Sequence, residues 1–139
     1  VLGGVHIPYD KGLSGWSDAD VLTHAIIDAL LGAAAMGDIG QHFPSGNPEY
    51  KDILSLILLE ETKDMLLSDG WQLVNIDATV IAEEPMLSDY INHIREALSQ
   101  TLNVNINQVS VKASTSNGLG LIGRGEGIAA YAVALIESG

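Results

Sequence analysis

Residues 17–40, SDADVLTHAIIDALLGAAAMGDIG, decide how the chain is read. Ser17 and Asp20 fit an S-x-x-D capping box, so a helix is predicted to begin just after Ser17 and to run to about Met36. Asp20, His24 and Asp28 recur every fourth residue and fall along one side of that helix. Leu22, Ala25, Ile26, Ala29, Leu30 and Ala33 make the rest of it apolar. The acidic turn Gly37-Asp38-Ile39-Gly40 follows where the helix should stop. An imidazole beside carboxylates suits a zinc site or an acid–base site. Zinc also needs several protein ligands, and this helix supplies one good one, His24. Spacing alone leaves a ligand and a buried structural histidine both open.

Working outward, Val1 to Leu13 reads as a short extended segment broken by Gly3-Gly4 and turned at Pro8. Beyond the first helix, residues 41–51 carry Pro44, Gly46 and Pro48 and read as an irregular loop. A second helix is predicted from about Asp52 to Leu67, closed by Gly70, and its apolar run ILSLILL points to burial against more than one surface. Trp71 to Ala82 alternates as a strand, with Val74, Ile76, Ala78, Val80 and Ala82 on one face. A loop at Glu83–Leu87 leads to a third helix, Ser88–Leu102, with Ile91, Ile94, Leu98 and Leu102 as its buried stripe. Strands follow at Gln108–Ser114 and Ile128–Ile136, separated by a glycine-rich loop over residues 116–127. This order implies an α+β two-layer sandwich, a mixed sheet with helices on one face, in a single domain spanning residues 1–139. Ala130, Ala132 and Ala134 are assigned to the other sheet face, where oligomer contact would cover them.

The chain has 139 residues, of which 47% are hydrophobic, so a substantial core is within reach. Eighteen acids against six bases give a net charge of −12, which argues against nucleic acid and anionic membranes as partners. A phosphorylated substrate stays possible, because a few local donors can hold a phosphate. There is no cysteine, which removes disulfides and thiolate metal sites and fits a reducing, cytoplasm-like compartment. No apolar run is long enough to span a membrane, and VLGGVHIPYD lacks the pattern of a secretion signal.

Residues 118–123 match G-x-G-x-x-G after a strand. A dinucleotide fingerprint also needs a following helix, a further strand and an acid about 20 residues on. Only sixteen residues follow Gly123, and they alternate like a strand. The glycines are read instead as sharp turns or a close approach to a ligand or neighbouring chain. More telling is Lys112-Ala113-Ser114-Thr115-Ser116-Asn117, whose hydroxyls at a strand end can hold phosphate oxygens, followed by Gly123-Arg124-Gly125-Glu126-Gly127. His6, His42 and His93 sit in polar contexts and are assigned to the surface.

Together, SDADVLTHAIIDALLGAAAMGDIG with QHFP after it, IAEEPML, and VKASTSNGLGLIGRGEGIAAYAVALI resemble the 2-C-methyl-D-erythritol 2,4-cyclodiphosphate synthase family over essentially the whole chain. The resemblance implies a lyase of non-mevalonate isoprenoid biosynthesis. It implies cyclisation of 4-diphosphocytidyl-2-C-methyl-D-erythritol 2-phosphate with release of CMP. It also implies a homotrimer with sheets packed around a three-fold axis and active sites between subunits, in the bacterial cytoplasm or a plastid-type organelle. Implied cofactors are Zn2+, orienting one phosphate, and Mg2+ or Mn2+ on the diphosphate.

By the same resemblance His24 is a zinc ligand, Ser17 contacts substrate, and Asp38, Ile39 and Gly40 meet the erythritol hydroxyls. Phe43 and Pro44 belong to the next substrate loop, and Ala82, Pro85, Met86 and Leu87 to a loop that holds cytosine. Ala113, Ser114 and Thr115 form the phosphate-contacting strand end, with Thr115 polarising a phosphate. Arg124 and Glu126 are the charged pair near the trimer axis. The chain departs from the family pattern at several of these positions. Trp16 stands in a catalytic histidine position, Asn117 in place of a glutamate on the second metal, Met86 in place of a lysine, and Leu121 in place of an aromatic. The family's Asp-x-His pair, which completes the zinc site, is expected upstream of Val1. Trp16, Met86 and Asn117 motivate the alternative, a trimeric nucleotide- or diphosphate-binding module with impaired or no catalysis.

Overall fold

The buried apolar residues of the first helix set the frame. The computed structural model describes residues 1–8, 20–44, 46–47, 54–83, 87–115, 117–120 and 128–139. Helix α1 spans Val21–Ala33, and its Leu22, Ile26, Ile27, Leu30 and Leu31 are essentially inaccessible to water. Its N-cap is Asp20, whose side chain accepts the Thr23 amide, so the helix starts later than the capping-box reading placed it. At about 2 kcal/mol for each buried Leu or Ile, the apolar stripe decides that the helix forms. The cap, at about 1 kcal/mol, decides where it starts.

A four-residue helix α2, Ile39–His42, follows with Asp38 as its N-cap, spanning the end of the predicted acidic turn and the first two residues of the stretch read from sequence as irregular loop. Helix α3 is Ser55–Ser68. Its Leu58 and Leu59 are buried while Leu54 and Ile57 are exposed, so the apolar run is covered on fewer sides than its composition suggested. Strand β1 is Trp71–Ile81, and a 3-10 turn at Ser88–Tyr90 leads into helix α4, Ile91–Leu102. The predicted stripe of α4 is borne out: Ile94, Leu98 and Leu102 are buried and Ile91 packs beside them. Asn103 ends it in the left-handed region at φ 54°. Strands β2, Val109–Ser114, and β3, Ala129–Ser138, complete the sheet.

The sheet order is β2-β1-β3, with β1 parallel to β2 and antiparallel to β3, so it is mixed as expected. Ile76, Ala78 and Val80 of β1 pair with Ala134, Ala132 and Ala130 of β3, and these residues face the helices. That reverses the sequence assignment of the three alanines to the outer face. Their small side chains let α1 lie close against β3. The outer face carries Tyr131, Val133 and Leu135 instead, at 66%, 67% and 58% exposure.

A β-bulge separates Leu73 from Asn75 in the β1–β3 register. It shifts the alternation by one residue. Trp71 and Leu73 therefore pack against the core, whereas Val74, assigned from sequence to the core face, is the extra residue. The Gln108 side-chain amide donates to the Leu73 and Val74 carbonyls at 3.3 and 2.9 Å, where β2 has not yet begun to pair.

Candidate functional site

Asp20 is completely buried, and its carboxylate gathers three segments of chain. Oδ1 accepts the Gly3 amide at 2.8 Å and the Thr23 amide at 3.0 Å. Oδ2 accepts the Gly4 amide at 2.8 Å, the Thr23 hydroxyl at 2.8 Å and the Ser55 hydroxyl at 2.6 Å. Five donors spread the charge, with no cation paired to it among the described residues. Gly3 and Gly4 turn at φ 56° and 78°, which aims both amides at the carboxylate. A Cβ at Gly3 would strike Ile94, and one at Gly4 would strike Leu56, so the turn needs glycine for space as well as conformation.

His24 sits one helical turn beyond this hub. Its Nε2 is buried and has no hydrogen-bond partner among the described residues. Burial pushes the imidazole pKa down, with Asp20 and then Asp28 pulling the other way. A neutral imidazole with a free buried nitrogen is what a metal ligand requires. No group of three or more His, Asp or Glu side chains able to hold a metal forms among the described residues.

Asp28, left unassigned by the sequence beyond its place on the helix stripe, accepts the Ile39 amide at 2.7 Å through Oδ1. Asp38 accepts the Gln41 amide at 3.0 Å through its own Oδ1. Phe43 is buried, its amide bonded to the Ile39 carbonyl at 2.8 Å, and Pro44 is exposed. His42, assigned to the surface, is half-buried with Nε2 at 2.7 Å from the Met36 carbonyl; His6 and His93 are exposed as expected.

A second group gathers where β1 and β2 end side by side. Ile81 pairs with Ser114, and the Ala82 amide donates to the Ser114 carbonyl at 3.0 Å. Ala82 is buried, and its amide is taken up by that bond. Leu87 packs in the core, its carbonyl accepting the Tyr90 amide at 2.9 Å. Ala113, Ser114 and Thr115 are exposed at the strand end. Asn117 takes the left-handed conformation at φ 57°, and its amide donates to Thr115 Oγ1 at 3.2 Å. The Gly118 amide donates to Glu83 Oε1 at 3.1 Å, joining the loops that follow the two strands. Neither this link nor that of Asp28 was read from the sequence, because each joins a side chain to a backbone amide in another segment.

His24, Asp38, Ile39 and Gly40 make no hydrogen bond to Ala82, Ser114, Thr115 or Asn117. The described candidate residues thus fall into two groups, one on α1 and α2 and one where β1 and β2 end. Trp16, Ser17, Pro85, Met86, Leu121, Arg124 and Glu126 lie outside the described residues. Strand β3 follows the G-x-G-x-x-G stretch from Ala129, and residues 121–127 lie outside the described residues. No described helix is long and apolar enough to cross a membrane.

Comparison with known proteins places these features in context. The model of the YgbB family matches residues 1–137. The 2-C-methyl-D-erythritol 2,4-cyclodiphosphate synthase of Syntrophomonas wolfei is 57% identical over 137 residues, covering 99% of this chain and 87% of that protein. The enzyme of the same name from Moorella thermoacetica is 57% identical over 136 residues, covering 98% and 83%. Among solved structures, the bifunctional IspDF of Campylobacter jejuni superposes with a TM-score of 0.96 at 37% identity, covering 100% of this chain and 38% of that one. A CDP-bound 2C-methyl-D-erythritol-2,4-cyclodiphosphate synthase superposes at 0.90 with 28% identity, covering 99% and 89%.

Proposed function

This chain belongs to the YgbB family, and we infer from that membership that it has 2-C-methyl-D-erythritol 2,4-cyclodiphosphate synthase activity. It is a phosphorus–oxygen lyase of isoprenoid biosynthesis. The substrate is 4-diphosphocytidyl-2-C-methyl-D-erythritol 2-phosphate. Its 2-phosphate oxygen attacks the β-phosphorus, the bond from that phosphorus to the bridging oxygen breaks, and CMP leaves with the oxygen. Because the substrate carries its own nucleophile, the protein's work is positioning and charge neutralisation. The observation that carries this reading is 57% identity across 99% of the chain, with the identified helix histidine buried and unpartnered at Nε2.

The half-site on β1 and β2 is assigned to the nucleotide and phosphates. The Thr115 hydroxyl, oriented by the Asn117 amide at 3.2 Å, would polarise a phosphate beside Ala113 and Ser114. The loop entered at Ala82 and left at Leu87 would hold cytosine, a placement supported by the CDP found in the solved relative. The half-site on α1 and α2 is assigned to the polyol at Asp38, Ile39 and Gly40. Ser17, Trp16, Phe43, Pro44, Pro85, Met86, Leu121 and Arg124 complete the proposed set.

Family membership implies metal cofactors. The orphaned Nε2 of His24 fits zinc, which when bound would neutralise and orient a phosphate. Thr115 and Asn117 offer neutral oxygens only, which by themselves do not fit the hard Mg2+ or Mn2+ ion. That mismatch favours one second reading, a binding module of the same fold with impaired turnover.

We read residues 1–139 as one domain, supported by the single core cluster that joins every helix and strand of eight residues or more. The homotrimer is supported by the split site and by the exposed stripe Tyr131, Val133 and Leu135 on an edge strand. Bacterial relatives and the absence of cysteine support a cytoplasmic setting. The test is incubation of full-length protein with the cytidyl substrate, zinc and magnesium. CMP should appear; no CMP above a His24→Ala control would refute the activity. CDP binding without turnover would select the second reading.

A further inference from the structure

We propose that Asp28 is a positioning residue, which tethers the Asp38–Gly40 turn to α1 so that the turn presents a single arrangement to the substrate's polyol. This rests on the reading of the chain as a cyclodiphosphate synthase. Asp28 is exposed, one helical turn past His24. Between α1 and the turn the chain reverses through Ala35 at φ 56° and Gly37 at φ 92°. A reversal through two left-handed residues needs an anchor on its far side, and the 2.7 Å bond from the Ile39 amide to Asp28 Oδ1 supplies one.

Two carboxylates thereby divide the backbone donors of the turn. Asp28 takes the Ile39 amide and Asp38 takes the Gln41 amide. Gly40 lies between them. A Cβ there would meet only Asp38 Oδ1, at 3.5 Å, and Gly40 is not among the glycines with positive φ. Neither conformation nor packing among the described residues demands glycine at that position. Open ground above a tethered turn is what a closely approaching hydroxylated ligand needs. His24 and Asp28 share one rigid helix, so the bond also fixes the turn relative to the candidate metal ligand.

The experiment compares Asp28→Ala and Asp28→Asn with wild type in the full-length protein. CMP release is followed against substrate concentration, CDP affinity by calorimetry, and the Ile39 amide by hydrogen exchange. Asparagine keeps an acceptor oxygen and loses the charge. Loss of one charge-assisted hydrogen bond corresponds to about a tenfold effect. Asp28→Ala should therefore raise KM about tenfold, leave CDP affinity unchanged and speed exchange at Ile39. Asp28→Asn should recover most of the KM and the protection. A working wild type with an unmoved KM in Asp28→Ala, or a loss shared equally by CDP, overturns the inference alone. A wild type that releases no CMP overturns the parent reading and this one with it.

Discussion

The Ser55 hydroxyl donates to Asp20 Oδ2 at 2.6 Å, so the first turn of α3 is fastened to the N-cap of α1 across thirty-five residues of sequence. The same carboxylate holds Gly3, Gly4 and Thr23, and all of these bonds but the part-buried one from Gly4 are buried.

Asp20→Ala leaves buried donors unmet at about 1–3 kcal/mol each and is expected to cost at least about 3 kcal/mol. Ser55→Ala alone should cost about 1–2 kcal/mol and almost nothing in the Asp20→Ala background. Urea unfolding of the four proteins in the cycle measures this. Strict additivity would show that the hydroxyl and the carboxylate do not interact.

His24 behaves oppositely, because its buried nitrogen has no partner to lose among the described residues. His24→Leu without zinc should melt no lower than wild type. Added zinc should raise the melting temperature of full-length wild type, by mass action on the folded state, and leave the variant where it was. An equal rise in both proteins would remove His24 from the metal site.

Val133 is 67% exposed, so Val133→Glu should leave the folded monomer intact. If the β3 stripe is the subunit interface, the charge lands in it unpaired and the variant sediments as a monomer with unchanged circular dichroism. A variant that sediments like wild type would place the interface elsewhere.

Lys112 Nζ lies 2.8 and 2.9 Å from the two Asp77 oxygens across β1 and β2. The hydrogen bond from Lys112 is the main cause holding the Asp77 pKa below its ordinary 3.8. A carboxylate with a lowered folded pKa stabilises the fold above its unfolded pKa and loses that contribution as pH falls through the folded value. Lys112→Met should therefore differ from wild type near neutral pH and converge with it in strong acid. Exposed pairs of this kind contribute less than about 1 kcal/mol. Urea midpoints at about pH 3 and pH 6 read both the sign and the size.

What the sequence disclosed follows from where each signal resides. The stripe of α4 was legible because Ile94, Leu98 and Leu102 recur at helical spacing and face one core. The alternation of β1 gave Ile76, Ala78 and Val80 their correct side and failed at Val74, because a bulge leaves no mark in a pattern of apolar residues. The alanines of β3 were assigned outward because small residues pack against a close helix as readily as against another sheet. His24 stood out as an imidazole on an apolar helix, and its Nε2 is buried with no hydrogen-bond partner among the described residues. Asp28 stood out only as a charge on the helix stripe and Glu83 not at all, since a carboxylate that accepts a distant amide has no local signature.

The bulge at Val74 has a consequence for how the chain can change length. Removing a residue elsewhere in β1 puts every side chain on one side of the cut onto the opposite face of the sheet. Removing Val74 does not: Leu73 would then adjoin Asn75 in regular alternation, with Trp71 and Leu73 still turned toward the core. The strand thus contains a removable unit, held by the Gln108 amide at its carbonyl. An insertion or deletion among relatives is best tolerated at that point.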